Sequence, residues 1–130
     1  MTVETGTVAY WREFVAGQDK FVYILGINAA NEVLSFTISS QTKYLAMQPH
    51  ASEMVEIAKG TLDCFGKTCY IQCFYEVRRT PIAEFVDLDR RGYICYRGSL
   101  PQFSSVIRKI VSESMLLEGY DQDAVLEVLN

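Results

Sequence analysis

Up to Arg97 the apolar residues of this chain recur at every second position in short runs, and from Phe103 onward they recur at every third or fourth. That change of period leaves few architectures open. A strand sends alternate side chains to opposite faces, whereas a helix gathers residues three and four apart. Strands are predicted at Thr7 to Phe14, Phe21 to Ile27, Glu32 to Ser39 and Gly92 to Arg97. The turn Ala16-Gly17-Gln18-Asp19 follows the first. Asn28-Ala29-Ala30-Asn31 follows the second, because asparagine tolerates the positive φ that a hairpin needs. Phe21 to Ile27 is apolar on both faces and suits a central strand. In the third strand Leu34, Phe36 and Ile38 make the buried side, while Val33, Ser35, Thr37 and Ser39 point outward. Glu53 to Ala58 fits either a short strand or a helical turn. Thr80-Pro81 opens a short helical turn to Val86. Phe103, Val106, Ile107, Ile110, Val111 and Met115 predict a helix from Pro101 to about Leu117, ended by Gly119. Asp121 then caps a last short helix carrying Val125, Leu126, Val128 and Leu129. Strands followed by a C-terminal helix imply a mainly β fold, a small barrel whose open end or flank the helix covers.

The densest stretch is Asp63 to Pro81, DCFGKTCYIQCFYEVRRTP, which holds Cys64, Cys69 and Cys73. Cys69 to Arg78 alternates as one extended strand. Cys69, Ile71, Cys73, Tyr75 and Val77 share the core face; Tyr70, Gln72, Phe74, Glu76 and Arg78 share the other. At about 3.3 Å of rise per residue, Cys69 and Cys73 stand some 13 Å apart, too far to share an ion. There is no CxxC pair, and His50 has no fixed spacing to the cysteines, so the thiols read as small buried hydrophobes with no metal and no cofactor. The outward row has two readings. Tyr70, Phe74 and Arg78 suit base stacking and phosphate contact, or they pack beneath a neighbouring element or a second subunit.

The chain has 130 residues, enough for one domain with a real core: a barrel over about 5–98 and helices over about 100–129. No apolar run approaches a membrane span, the N-terminus has no signal-peptide layout, and the scattered cysteines suit a reducing cytoplasm. A net charge of −4 excludes binding to nucleic acid through bulk positive charge. The segment from Lys59 to Arg97 nevertheless carries seven basic residues against five acidic ones, so a local basic patch stays open beside a solvated surface of mixed sign.

The order of parts resembles the PemK/MazF-like toxin family, small SH3-like barrels from toxin–antitoxin pairs. The matching pieces are Gly6-Thr7-Val8-Ala9-Tyr10-Trp11, Lys20-Phe21-Val22-Tyr23-Ile24-Leu25, Ile38-Ser39-Ser40-Gln41, and Ile71-Gln72-Cys73 through Arg79-Thr80. Pro101 to Leu117 supplies the family's helix, and Thr42 to Lys67 is a longer insert than the pattern has. The resemblance implies metal-independent cleavage of single-stranded RNA, in which the 2′-hydroxyl attacks the adjacent phosphate. It assigns the catalytic places to Lys20, where the family has arginine, and Ser39, where it has threonine. RNA contacts fall to Ser40, Tyr70, Gln72, Phe74, Arg78 and Arg79. Gln72 and Phe74 stand where some relatives carry an arginine and an aspartate. An antitoxin partner and a homodimer also follow from the resemblance.

Each residue has a plainer reading. Lys20 suits a solvated strand start, and Arg78 and Arg79 can pair with Glu76, Glu84 or Asp87. His50 suits an exposed loop, although its unperturbed pKa fits acid–base work near neutral pH. The competing function is a barrel that kept the fold without the chemistry and binds a protein or RNA uncut. The dimer expectation rests on outward Tyr70 and Phe74 and on the apolar residues of the last helix.

Overall fold

The computed structural model describes residues 3–74 and 77–129. Among these residues seven strands form one antiparallel sheet: β1 (Thr7–Val15), β2 (Gln18–Ile27), β3 (Glu32–Ser39), β4 (Met54–Ile57), β5 (Cys69–Gln72), β6 (Arg78–Pro81) and β7 (Ile94–Ser99). The order is β4-β5-β3-β2-β1-β7, with β6 also against β3. The sheet curls into a half-barrel, and helices α2 (Ser104–Ser112) and α3 (Gly119–Val128) lie at its C-terminal end. A third helix, α1 (Ile82–Arg90), follows β6 directly.

Each face of the sheet carries a buried cluster. On one, Val8, Tyr23, Leu25, Leu34, Phe36 and Ile71 pack with Ile107 and Val111 of α2 and Val125 of α3. The three helical residues are fully buried, and each contributes about 1.5–3 kcal/mol by leaving water. The buried Tyr23 hydroxyl donates to the Leu100 carbonyl at 2.9 Å, and burial pushes its pKa up to about 12. On the other face Ala9, Trp11, Val22, Ile24 and Val33 surround Phe85 of α1. This corrects the outward reading of β3: Val33 and Ser35 are both 1% exposed. Alternation marks which residues share a face and is blind to a helix arriving from elsewhere to cover the second one. Thr37 and Ser39 remain half-exposed.

The strand expected from Cys69 to Arg78 is two strands. β5 pairs with β3 through Ile38–Ile71 and Ser39–Tyr70, while β6 pairs with the start of β3 from Glu32–Pro81 to Ser35–Arg78. Between them Cys73 donates its N–H to the Glu53 carbonyl at 3.0 Å, and the Val77 N–H reaches Asp121 Oδ2 at 3.5 Å. Backbone groups that would have continued one ladder are thus satisfied by two other elements. Cys69, Ile71, Cys73 and Val77 are buried as expected; Tyr75 and Glu76 lie outside the described residues. The opposite face is buried too. Tyr70, Gln72 and Phe74 are 7%, 4% and 6% exposed, with Tyr70 and Phe74 packed on Met54, Tyr44 and Leu116. The 42–67 insert supplies this cover, through a 3-10 turn at Lys43–Ala46 and a second at His50–Glu53 that runs straight into β4. The 53–58 ambiguity is therefore resolved as a turn and then a strand. α3 also lies on its own barrel, with Val125 fully buried and Leu126, Val128 and Leu129 half-buried against the core.

The expected helix from Pro101 to Leu117 stops early. A 3-10 turn at Pro101–Phe103 leads into α2, and Gly119 opens α3 instead of ending its predecessor. Ser114 and Glu53 cause the break. The buried Glu53 carboxylate accepts from the Ser114 hydroxyl, and from the Met115 N–H at 2.9 Å. Ser114 Oγ in turn accepts the N–H groups of Leu116 at 3.3 Å and Leu117 at 2.9 Å, a local alternative to helical bonding. Thr80 belongs to β6, and Pro81 is the residue from which α1 starts, running to Arg90 rather than Val86.

Gly26 positions α3. Its φ of +144° lies where side chains are strained, and a Cβ there would stand 2.5 Å from Val128 Cγ1. The sheet backbone and the last helix touch at this glycine because it has no side chain.

Candidate nucleic-acid interface

The β1–β2 hairpin is bulged at Glu13, whose φ is +54° and around which the register shifts between Trp11 and Val15. Asp19 stabilises the bulge: Oδ1 accepts the Glu13 N–H at 2.9 Å and Oδ2 accepts the Tyr10 hydroxyl at 2.7 Å. Lys20 follows, opposite Trp11. On the other side of β2, Phe21 pairs with Ile38, so Lys20 and Ser39 are the next residues along neighbouring strands. The loop before β5 closes the third side with Phe65 and Lys67.

These segments enclose a cleft of about 520 Å³. Its floor is the part-exposed rings of Tyr10 and Phe21, with Phe65 buried beneath them. Tyr10 meets Phe21 edge-on with centroids 5.0 Å apart, and Phe21 meets Phe65 in the same way at 5.2 Å. Its rim is polar: Asp19, Lys20, Ser39, Ser40, Gln41 and Lys67. The Arg97 guanidinium adds a cation 5.9 Å from the Tyr10 ring. Ser39 Oγ accepts the Gln41 N–H at 3.2 Å, which leaves the hydroxyl proton to donate into the cleft.

The Tyr10 hydroxyl, and after it the Glu13 N–H, hold the Asp19 carboxyl below its ordinary pKa. The same bond to Asp19, with burial second, raises that of Tyr10. At neutral pH the pair is therefore a carboxylate and a neutral phenol. Cys64 and Cys69 also line the cleft, and burial raises both their pKa values, so they stay thiols and poor nucleophiles.

The sequence-predicted residues divide into three groups. Lys20, Ser39 and Ser40 meet in this cleft. Arg78 and Arg79 line a different one, of about 470 Å³, with Phe74, Leu116 and Tyr120. There Arg79 pairs with Asp121 at 2.8 Å and stacks on Tyr120 at 4.2 Å, while Arg78 stacks on Phe14 at 4.1 Å. Of the partners expected from sequence, Glu76 lies outside the described residues, and Asp87 pairs instead with Arg90 and Arg91. Tyr70, Gln72 and Phe74 are buried, and of the three only Phe74 reaches a cleft, the one beside Arg78 and Arg79. His50 also lies outside the Lys20 cleft, stacked on Tyr44 at 5.1 Å and edge-on to Phe74 at 5.0 Å.

Sequence reasoning missed Tyr10, Asp19 and Lys67 as site residues. The one signal available for the first two was a tyrosine and an aspartate flanking a short hairpin, close enough in register to bond. Among the described residues no group of three or more His, Cys, Asp or Glu side chains is placed to hold a metal ion, and no helix is long and apolar enough to cross a membrane. No family model, curated protein or solved structure matches the chain.

Proposed function

We propose that this chain is a PemK/MazF-like small barrel that binds single-stranded RNA in the cleft between the β1–β2 hairpin, the end of β3 and the 64–69 loop. One observation carries the reading. Lys20 and Ser39, nineteen positions apart and singled out by the resemblance, flank a single cleft with an aromatic floor. Stacking a base on such a floor stabilises a complex by about 1–3 kcal/mol and tolerates any base. Lys20 and Lys67 offer charge to phosphates, with Arg97 beside Tyr10 just outside the lining, and the Ser39 hydroxyl offers a donor. A chain of net charge −4 needs this kind of local concentration of cations to hold RNA at all. An antitoxin-like protein partner and a reducing cytoplasm belong to the same reading.

Cleavage through the 2′-hydroxyl is the second reading, and the same pair favours it. A lysine charge beside a hydroxyl donor suits the negative charge that builds on pentacoordinate phosphorus. Against it, Asp19 is the one carboxylate lining the cleft among the described residues. Both its oxygens are engaged and its pKa is lowered, which makes it a weak base for the 2′ proton. Binding without cutting is thus the better-supported of the two.

Fluorescence anisotropy with a short labelled RNA in EDTA tests the proposal, with gel analysis of the same samples for cyclic-phosphate ends. Replacing Lys20 and Lys67 by Ala should weaken binding and lower the slope of log affinity against log salt by about 1 for each lysine. Unchanged affinity in the double variant would remove RNA from this cleft. Cyclic-phosphate products that vanish in Lys20→Ala would promote the second reading over the first.

A further inference from the structure

We infer that Asp19 is a specificity-determining residue of the cleft, reading the Watson–Crick edge of a guanine base packed against the part-exposed rings of Tyr10 and Phe21. The inference rests on the cleft binding RNA and goes beyond it by naming the base.

A carboxylate is out of place on a rim otherwise made of lysines, hydroxyls and an amide. It repels phosphate, so what meets it must be a donor. Asp19 is held rigid by the Tyr10 hydroxyl at 2.7 Å on one oxygen and the Glu13 N–H at 2.9 Å on the other. Each carboxylate oxygen has two lone pairs, so one acceptor position remains on each, the number a two-donor edge needs. Among the four RNA bases only guanine presents two adjacent donors, the N1 imino and the N2 amino group. Adenine and cytosine each set one amino donor beside a ring acceptor, and uracil sets one imino donor between two carbonyls.

The bond between Tyr10 and Asp19 links the two halves of the site. Tyr10 is part of the floor, with its ring 5.0 Å from that of Phe21, and its hydroxyl points at the carboxylate. A base packed against the Tyr10 ring would therefore lie within reach of Asp19 along one edge. Support of the hairpin bulge explains the bond to Glu13; it does not need a second bond from a ring that lines the cleft. With Lys20 next in sequence, a guanine edge on Asp19 and its phosphate on the adjacent ammonium are satisfied by neighbouring side chains.

The test uses labelled uridine pentaribonucleotides whose central residue is guanosine, inosine or adenosine, titrated with the intact chain in EDTA. Guanosine should bind about tenfold tighter than adenosine, the scale of one bidentate base contact. Inosine, which lacks only the N2 amine, should lose most of that advantage. In Asp19→Asn the preference for guanosine should collapse, while affinity for the adenosine oligomer holds or rises as a negative charge leaves the rim. Tyr10→Phe, which keeps the carboxylate and frees it to rotate, should reduce the preference without abolishing it. Far-UV circular dichroism checks that each variant is folded; if Asp19→Asn is not, the inosine result on the unmodified chain decides. Equal binding of all three oligomers by the unmodified chain overturns the guanine reading and leaves the RNA cleft standing. No binding of any oligomer overturns both.

Discussion

Arg79 Nη2 lies 2.8 Å from Asp121 Oδ1, joining β6 to the first turn of α3 across 42 residues of sequence, with the side chains 17% and 12% exposed. The pair commits Arg79 to holding the last helix on the sheet rather than to phosphate. Removing one partner strands the other in a poorly solvated place. Asp121→Ala should therefore cost about 2–3 kcal/mol in urea unfolding, and it also removes the acceptor facing the Val77 N–H. RNA affinity at the Lys20 cleft should stay within about twofold of the parent, a change of a few tenths of a kcal/mol. A variant of unchanged stability that binds RNA poorly would return Arg79 to the ligand site.

A second prediction concerns the glycine beneath α3. Gly26→Ala places a methyl group 2.5 Å from Val128 Cγ1 at a φ of +144°, and should destabilise by about 1–3 kcal/mol through overpacking and backbone strain. Adding Val128→Ala removes the clash and leaves the strain, so the double variant should recover part of the loss. If the double variant is less stable by the sum of both single losses, the helix does not seat on Gly26 as described.

The Tyr10–Asp19 bond makes a prediction about pH. The folded carboxyl titrates below its usual 3.8, so its contribution is present above that value and is lost as pH falls through the lowered one. The folded phenol titrates above 10.0, so its contribution is present below that value and is lost as pH rises through the raised one. Melting temperature should accordingly be less sensitive to pH in Tyr10→Phe than in the parent on both the acid and the alkaline limb. Parallel curves for the two proteins would show that the bond does not form in solution.

What was legible in the sequence was local. The strands β1, β2 and β3 are joined by short turns, so alternation and turn chemistry suffice to mark them, and the Phe21–Ile38 pairing that sets Lys20 beside Ser39 follows from one hairpin. The burial of Tyr70 and Phe74 was not legible, because it depends on the 42–67 insert, whose mixed turns and short strand show no period. Cys69 to Arg78 alternates equally well as one long strand or as two short ones docked at opposite ends of β3, and only Glu53 and Asp121, distant in sequence, select the second. The early end of α2 has the same origin, since Glu53 binds the chain at Ser114 and Met115. Arg79 carried no mark of its partner, for Asp121 sits in a helix whose visible pattern is its apolar residues.

The place of β1 bears on the order of folding. It pairs with β2 through a tight hairpin and with β7 from Thr7–Ser99 to Trp11–Ile94, and the seam is completed where Leu100 donates to the Gly6 carbonyl at 2.7 Å. The hairpin closes a short loop, whereas the seam closes nearly the whole sheet and carries a correspondingly larger entropic cost. Loop-closure entropy therefore favours forming the three-stranded meander before β7 docks. In the interval the free edge of β1, from Thr7 to Trp11, is a template for any extended chain that meets it. The race between β7 of the same molecule and a strand from a neighbour is a contest between intramolecular speed and protein concentration, and its outcome separates native chains from aggregated or strand-exchanged ones.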